Sequence, residues 1–330
     1  MKKHLKPILA LLLLTTILTE LLTTNFTLFT LIAQPWILLL LLTMGYGFPI
    51  LVIREIIIRK NLGLLGIFFL GIIYGLYNEG LVARTIFNHF HAPIDTFAVY
   101  GLVENIRIPW TLTITFWHAL HALIYPLAFV HYLYPTHSQE SWIGKKTAWF
   151  LAILVLAFGS VVFFLPSSEK ISGQLNHYIF MILSCLVLWF ISKKMYAPKI
   201  SYTETPFSWR KIGFGILLYL IITFVPILFA GLKLPLVLFI IYFGLMTFWG
   251  IRKLSKTPEI ALFNIVMIGI GSAFANSIFV FVGAVATLSL DRFISSSLFL
   301  IILLVISLRL KKKSIIQPVN EPVINPNLLQ

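Results

Sequence analysis

Residues 62–84 read LGLLGIFFLGIIYGLYNEGLVAR, an apolar run in which the strongly polar members are Asn78, Glu79 and the closing Arg84. A helix needs about 20 predominantly apolar residues to cross the hydrocarbon core of a bilayer. The run is long enough and therefore predicts a membrane-spanning helix. That helix carries a carboxyl group near one of its ends.

The rest of the chain shares this apolar character. Of its 330 residues, 59% are hydrophobic and 11% charged, with a mean hydropathy of +0.96. Soluble domains average about 25% charged residues, so the composition excludes a soluble globular protein. It also excludes a disordered chain, which is poor in apolar residues. The single cysteine, Cys185, excludes an internal disulfide and a cysteine-based metal cage.

We predict an all-α, polytopic integral membrane protein with one transmembrane domain over residues 1–313. Ten spans are expected, at 5–24, 35–58, 62–84, 110–133, 146–165, 174–194, 210–229, 234–252, 259–283 and 291–310. Residues 85–109 form a long loop, and 314–330 are predicted to be a disordered tail. The first span has a basic start like a signal peptide but lacks a small-residue cleavage site, so we expect it to be retained.

The basic residues sort to one side of these ten spans. With the N-terminus inside, 20 of the 25 lysines and arginines fall in inner segments, as the positive-inside rule requires. We therefore expect both termini to be cytoplasmic and the protein to lie in the cell membrane. The basic inner segments account for the net charge of +14. We therefore expect the lipid bilayer as a partner and no nucleic acid.

Ionisable groups concentrate around the third and fourth spans. Gly71, Gly75 and Glu79 recur every four residues, so they share one helix face, and such a glycine face lets another helix approach closely. His118 and His121 lie on the next span, and Glu79 and His118 are about 7 and 12 Å below the outer end. The loop between the two spans adds His89, His91, Asp95, Glu104 and Arg107.

This cluster has three chemical interpretations besides a purely structural pair. A buried carboxylate beside an imidazole can activate water for attack on an amide. The histidines and Glu79 could ligate a metal, or they could relay protons in a transporter. The chain has no HExxH motif, no glycine-rich phosphate loop and no serine-hydrolase elbow. We predict neither a cofactor nor a resident metal.

Residues 45–135 resemble an uncharacterised family of prokaryotic polytopic membrane proteins. The stretches that carry the resemblance are Gly45-Tyr46-Gly47, Leu51-Val52-Ile53-Arg54-Glu55, Tyr74 to Leu81, Arg84 to Asn88, Tyr100-Gly101, Trp110, His118-Ala119 and Pro126. Members tend to show Glu-Glu-Gly where this chain has Asn78-Glu79-Gly80. The resemblance implies a membrane fold and no known activity.

The same region is more loosely similar to the CAAX-processing and bacteriocin-processing intramembrane proteases. That family carries Glu-Glu-x-x-x-Arg, an aromatic-x-x-x-His and a third His-x-x-x-Asn/Asp motif. Here Gly80 replaces the second Glu between Glu79 and Arg84, Trp117 precedes His121 by four, and the third motif is absent. The similarity implies that Glu79 activates water with His118 or His121, and that Arg84 steadies the carboxylate.

The function favoured by the sequence is thus an intramembrane peptidase or a degenerate relative, acting on a peptide or small-molecule substrate. Its candidate catalytic residues are Glu79, His118, His121 and Arg84. A small-solute or ion-coupled transporter is the alternative, although no five-plus-five internal repeat is visible. A non-catalytic membrane scaffold is the third hypothesis.

Overall fold

The chain is almost entirely helical in the computed structural model, which describes residues 2–87, 100–164, 175–194, 199–203 and 205–316. The helices are α1 (Leu5–Thr16), α2 (Leu28–Ala33), α3 (Pro35–Leu42), α4 (Phe48–Lys60), α5 (Leu64–Val82), α6 (Ile108–Leu133), α7 (Lys145–Phe164), α8 (Leu175–Lys194), α9 (Trp209–Gly231), α10 (Leu236–Ser255), α11 (Leu262–Ala286) and α12 (Leu290–Ile316). Two strand pairs are also described: antiparallel β1 (Leu102–Val103) with β2 (Ile106–Arg107), and parallel β3 (Lys199–Ser201) with β4 (Glu259–Ala261).

Eight of these helices, α5 to α12, are long and apolar enough to cross a membrane. They coincide with the third to tenth predicted spans. The first two predicted spans are helical as well, because α1 continues as a π-helical turn over Ile17–Leu21 and α3 joins α4 through another over Thr43–Gly47. The helical membrane architecture is confirmed, with the two short strand pairs as an addition, and the count of ten spans stays a prediction.

The predicted loop 85–109 and the predicted tail 314–330 both contain some regular structure at their edges. The predicted loop 85–109 contains the β1–β2 hairpin, and α6 begins at Ile108. At the other end of the chain α12 continues to Ile316, past the predicted start of the tail at 314. Residues 88–99, which include His89, His91 and Asp95, and residues 317–330 lie outside the described residues.

Helix α6 is the most enclosed of the long helices. In its most apolar stretch 83% is buried, compared with 61% for α5 and α11 and 11% for α7 and α10. Helices α5 and α11 both pack against α6, while α7 and α10 present most of their side chains outward. A polar group on α5 or α6 is therefore surrounded by protein.

Glycines bring the central helices into backbone contact. A Cβ on Gly71 would collide with the backbone of Ala119, and one on Gly75 would lie 2.9 Å from the Cα of Thr115. The predicted glycine face of α5 is confirmed, and its partner is α6. Close approach of the two backbones brings short side chains on both helices within hydrogen-bonding reach.

The two ends of the bundle differ in composition. We call the end where α5 finishes and α6 begins the outer end, and the end where α4 finishes at Lys60 the basic end. Segments that the sequence placed on one side do meet: Lys3 pairs with Glu140, and β3 pairs with β4. The orientation of the bundle in a membrane stays a prediction.

Candidate functional site

Four π-helical turns supply polar side chains to one region of the outer half of the bundle. The turns and their polar residues are Ile17–Leu21 with Glu20, Thr43–Gly47 with Tyr46, Tyr77–Val82 with Asn78 and Glu79, and His118–Ile124 with His118 and His121. A π-helical turn inserts an extra residue into a helix and occurs often at functional sites. The four turns therefore mark this region as the candidate functional site.

Glu79 and His118 form the centre of the site. The Oε1 atom of Glu79 lies 2.8 Å from Nε2 of His118, and the side chains are 8% and 1% exposed. The glycines of α5 permit this contact because they let α6 approach closely at Thr115 and Ala119, on either side of His118. The structure thus brings together two of the four predicted site residues.

The carboxylate of Glu79 has further donors around it. The Thr85 hydroxyl donates to Oε2, and the Asn78 amide donates to Oε1 at 3.4 Å. Thr85 in turn accepts a hydrogen bond from the indole nitrogen of Trp110 at 3.0 Å. Both oxygens of the Glu79 carboxylate are therefore engaged by side chains, Oε2 by Thr85 and Oε1 by Asn78 and His118.

A second buried carboxylate joins the cluster through Tyr46. Asn78 donates to the Tyr46 hydroxyl at 3.3 Å, and the same hydroxyl is hydrogen-bonded to Glu20, which is 5% exposed. Glu20, Tyr46, Asn78, Glu79 and His118 therefore form a continuous polar chain across four helical segments. The sequence prediction did not include Glu20, although an ionisable residue within an apolar run is itself a signal of a functional site.

Aromatic rings enclose the His118 imidazole. Tyr46 stacks on it with 6.0 Å between ring centroids, and Tyr74 and Trp117 meet it edge-on at 5.4 and 5.3 Å. The Nδ1 atom of His118 is buried and has no hydrogen-bond partner among the described residues. A buried nitrogen without a partner costs about 1–3 kcal/mol, which a water or a substrate group at Nδ1 would remove.

The arginine beside the pair is Arg107 and not Arg84. Arg107, at the end of β2, is fully buried and donates to the backbone oxygen of Thr85. Burial lowers the pKa of Arg107 to about 10, with the charge of Glu79 acting in the opposite direction, so it remains a cation at neutral pH. Arg84 instead places its guanidinium 5.3 Å from the ring centroid of Phe163.

His121 belongs to a neighbouring polar group. Its Nε2 lies 3.0 Å from the hydroxyl of Ser272 on α11, its Nδ1 lies 3.3 Å from the Trp117 oxygen, and its ring stacks on Trp117. Both nitrogens of His121 are engaged, whereas Nδ1 of His118 has no partner in the part of the chain that the structure describes. His121 thus ties α6 to α11, and its position gives no contact with Glu79.

The geometry does not gather these residues as ligands of one ion, because the two imidazoles turn to different partners. Among the described residues, three with metal-like spacing lie at the basic end: His4, His137 and Glu140, with ligand atoms within 4.8 Å of one another. Lys3 already contacts both Glu140 oxygens at 3.0 Å. This trio is an ion-paired surface group remote from the Glu79–His118 pair.

A second buried charge pair anchors the basic end. Arg54 and Glu55 are in contact at 2.8 Å with almost no exposure, and the Arg54 guanidinium stacks 3.6 Å from the Trp142 ring centroid. Glu55 also accepts hydrogen bonds from the Trp142 backbone and from Ser141. All of these partners lie within the chain, so the pair has a structural role in holding the 137–143 segment to α4.

The fold and the composition define a polytopic helical membrane protein. The chain belongs to an uncharacterized membrane protein family, whose model matches residues 9–317. Neither the curated proteins nor the solved structures contain a match to it. The family assignment covers nearly the whole chain, and it does not extend to the intramembrane proteases.

Proposed function

We propose that the protein is an intramembrane hydrolase in which His118 is the general base and Glu79 orients it. The observation that carries the proposal is the difference between the two imidazole nitrogens. Nε2 is held by Glu79 at 2.8 Å, and Nδ1 is buried without a partner among the described residues. A carboxylate that fixes one nitrogen and leaves the other for a reacting group is a recurrent general-base arrangement.

The roles differ from those that the sequence resemblance implies, in which Glu79 itself activates water. Both carboxylate oxygens of Glu79 are already engaged: Oε1 accepts from Asn78 and contacts Nε2 of His118, and Oε2 accepts from Thr85. With Glu79 ionised, Nε2 of His118 carries the proton and Nδ1 is the acceptor. His118 is therefore the better placed base, and Glu79 is the group that stabilises its protonated form.

Hydrolysis of an amide follows from these roles. Nδ1 removes a proton from a water molecule as the water oxygen attacks the carbonyl carbon. The imidazolium formed is stabilised by Glu79, and it returns the proton to the leaving nitrogen when the C–N bond breaks. General acid–base catalysis of this kind contributes about 10²–10⁴-fold in rate. Because the site lies among apolar helices, we propose a membrane-embedded peptide as the substrate class.

Comparison of protein N-termini in membranes tests the proposal. Cells carrying the wild-type chain, His118→Gln or Glu79→Gln are compared by quantitative N-terminal labelling of membrane peptides. We expect a set of new termini inside hydrophobic segments with wild type, none with His118→Gln and a reduced set with Glu79→Gln. His121→Gln is the matched control, since it changes a buried histidine in the same π-helical turn.

Two results would contradict the hydrolase. If the new termini persist at the wild-type level in His118→Gln, then His118 is not the general base. A loss that is equal in His118→Gln and His121→Gln, with equal protein levels and melting temperatures, indicates a general effect of polar changes in α6. Melting temperatures of the purified variants separate such effects from misfolding.

Proton-coupled transport is a second candidate, favoured by the polar chain that links Glu20 to His118 through Tyr46 and Asn78. Carboxylates and histidines at membrane depth commonly relay protons. Proteoliposomes with an internal pH dye test it: proton uptake by wild type that Glu20→Gln abolishes would support transport. Tight backbone packing between α5 and α6 argues for the hydrolase.

We further propose that the protein lies in the cell membrane as one domain with both termini cytoplasmic. The distribution of lysine and arginine supports this orientation. Alkaline phosphatase fused after Glu104 is expected to be active, and the same enzyme fused after Gln330 inactive. Activity of the C-terminal fusion would overturn the orientation.

A further inference from the structure

A cavity of about 460 Å³ opens at the basic end, and neither Glu79 nor His118 lines it. Its walls come from the α4–α5 turn, α6, the end of α8, β3 and the start of α11. Small-molecule sites in proteins usually measure about 300–1,000 Å³, so the space is large enough for a ligand. His131, which lines it, lies thirteen residues beyond His118 on α6, or about 20 Å along the helix.

The cavity is basic at its rim. Lys60, Lys193 and Lys199 line it, and all three are exposed. The lining residues in the described part of the chain include no carboxylate. Glu259, which pairs with Lys199 across the two strands, does not line the cavity. The rim therefore presents three cations whose charge is not neutralised by a lining acid.

Apolar side chains form the deeper walls. They are contributed by α4, α5, α6 and α11, and they include Ile57, Leu64, Ile124, Leu127 and Leu262. His131 also lines the cavity, is 6% exposed, and has an Nε2 atom without a hydrogen-bond partner among the described residues. One buried polar atom without a partner among the described residues thus lies beside these apolar side chains.

We propose that this cavity binds an anionic phospholipid, with the phosphate at the lysine rim and part of an acyl chain against the apolar wall. Like such a lipid, the cavity combines a charged part, the lysine rim, with an apolar part. Basic pockets between transmembrane helices on the positively charged side are suited to anionic headgroups. The position of the cavity, at the end where the lysines and arginines concentrate, matches the leaflet from which the lipid would enter.

The test uses the full chain, purified and delipidated, and titrated with phosphatidylglycerol or phosphatidylcholine while bound lipid is counted by native mass spectrometry. The test variant combines Lys60→Gln, Lys193→Gln and Lys199→Gln. The control combines Lys211→Gln, Lys253→Gln and Lys256→Gln, which removes the same charge from exposed residues that do not line the cavity. The control is well matched, because Lys253 lies over Trp249 as Lys193 lies over Trp189.

We expect wild type and the control to bind phosphatidylglycerol in preference to phosphatidylcholine, and the test variant to bind it about tenfold more weakly or worse. Equal weakening in both triple variants would overturn the proposal, because it would show only a general surface charge effect. Inorganic phosphate is the third ligand. Phosphate that displaces the lipid at equal affinity would overturn the lipid assignment in favour of an ion site.

A substitution in the deeper wall tests the acyl part of the proposal. Ala128 lines the cavity, so the ring in Ala128→Phe would occupy space that the acyl chain needs. We expect weaker phosphatidylglycerol binding with the lysine rim unchanged. A variant that melts like wild type and binds the lipid equally well would show that no acyl chain enters, and would overturn that part.

Discussion

The Oε1 atom of Glu79 meets Nε2 of His118 at 2.8 Å across 39 positions of sequence, and both residues lie on π-helical turns of neighbouring helices. The contact is buried and leaves Nδ1 of His118 without a partner among the described residues. Because both side chains are buried, we expect the stability of the outer half of the bundle to depend on this pair.

Removing the charge of Glu79 will destabilise the bundle. Glu79→Gln keeps the shape but loses a charge-assisted hydrogen bond in a buried setting, so we expect the free energy of unfolding to fall by about 1.5–3 kcal/mol. Denaturant unfolding in detergent measures this. Glu104→Gln is the control, because Glu104 is 80% exposed and surface changes usually stay within about 0.5 kcal/mol. Equal losses would show that Glu79 has no special stabilising role.

Adding one methyl group at Gly71 will push α5 and α6 apart. A Cβ there meets the backbone of Ala119, so Gly71→Ala should cost about 1–3 kcal/mol of unfolding free energy. Gly244→Ala is the matched change, since nothing lies within 4 Å of its added Cβ and alanine favours a helix. Melting temperatures compare the two, and a neutral Gly71→Ala would contradict the close packing.

Breaking the buried Arg54–Glu55 pair will loosen the basic end. Glu55→Ala leaves Arg54 uncompensated at almost no exposure, and such changes cost about 3–5 kcal/mol. Glu140→Ala removes a carboxylate that is 42% exposed, and we expect a much smaller loss, because exposed ion pairs stabilise little. Unfolding curves of the two variants should differ clearly, and similar curves would contradict the anchoring role of Glu55.

Acid will weaken the contact between the N-terminus and the 137–140 segment. Hydrogen bonding to Lys3 lowers the pKa of Glu140 below its usual 4.5, and burial lowers the pKa of His4 below 6.5. In both cases the unfolded chain binds the proton more readily, so stability falls as pH falls. The His4 contribution is lost below pH 6.5 and that of Glu140 below pH 4.5.

Melting temperatures of wild type and Glu140→Gln between pH 3 and 7 check this pH dependence. The difference between the two proteins should be largest above pH 4.5 and should vanish at the acidic end. A difference that grows on acidification would have the opposite sign and would contradict the assignment to Glu140.

We expect Arg107 to contribute more than Arg84 to the free energy of unfolding. Arg107→Gln removes a fully buried donor to the Thr85 backbone, which we expect to cost about 1–3 kcal/mol. Arg84→Gln removes a partly exposed contact with Phe163, for which about 0.5–1 kcal/mol is typical. Unfolding free energies of the two variants decide the order, and a larger effect at Arg84 would favour the arginine that the sequence resemblance implies.

The helices were predictable because their signal is local. Each of α5 to α12 is a continuous apolar run, and the run length alone selects a membrane helix. The pairing of Glu79 with His118 was also within reach of sequence reasoning. Both residues fall at similar depth on consecutive helices, and the Gly71–Gly75 face indicates where the helices approach.

Contacts between distant or irregular segments were beyond sequence reasoning. Glu20 joins the site through Tyr46 because two π-helical turns shift those side chains inward, and no local pattern announces such turns. Arg107 replaces Arg84 because a hairpin folds the loop back onto Thr85. The separation of His118 from His121 depends on α11, whose Ser272 is 151 positions away from its partner.

The sequence by itself determined that this protein is a helical membrane protein, where its long spans lie, and which pair of helices carries Glu79 and His118. Those features follow from hydrophobic length and from the cost of burying charge, which act on each segment separately. Only the tertiary structure decided which nitrogen of His118 contacts Glu79, which arginine donates to Thr85 and where a lysine-rimmed cavity opens. These depend on distances of a few ångströms between segments far apart in the chain, which packing of the whole bundle sets.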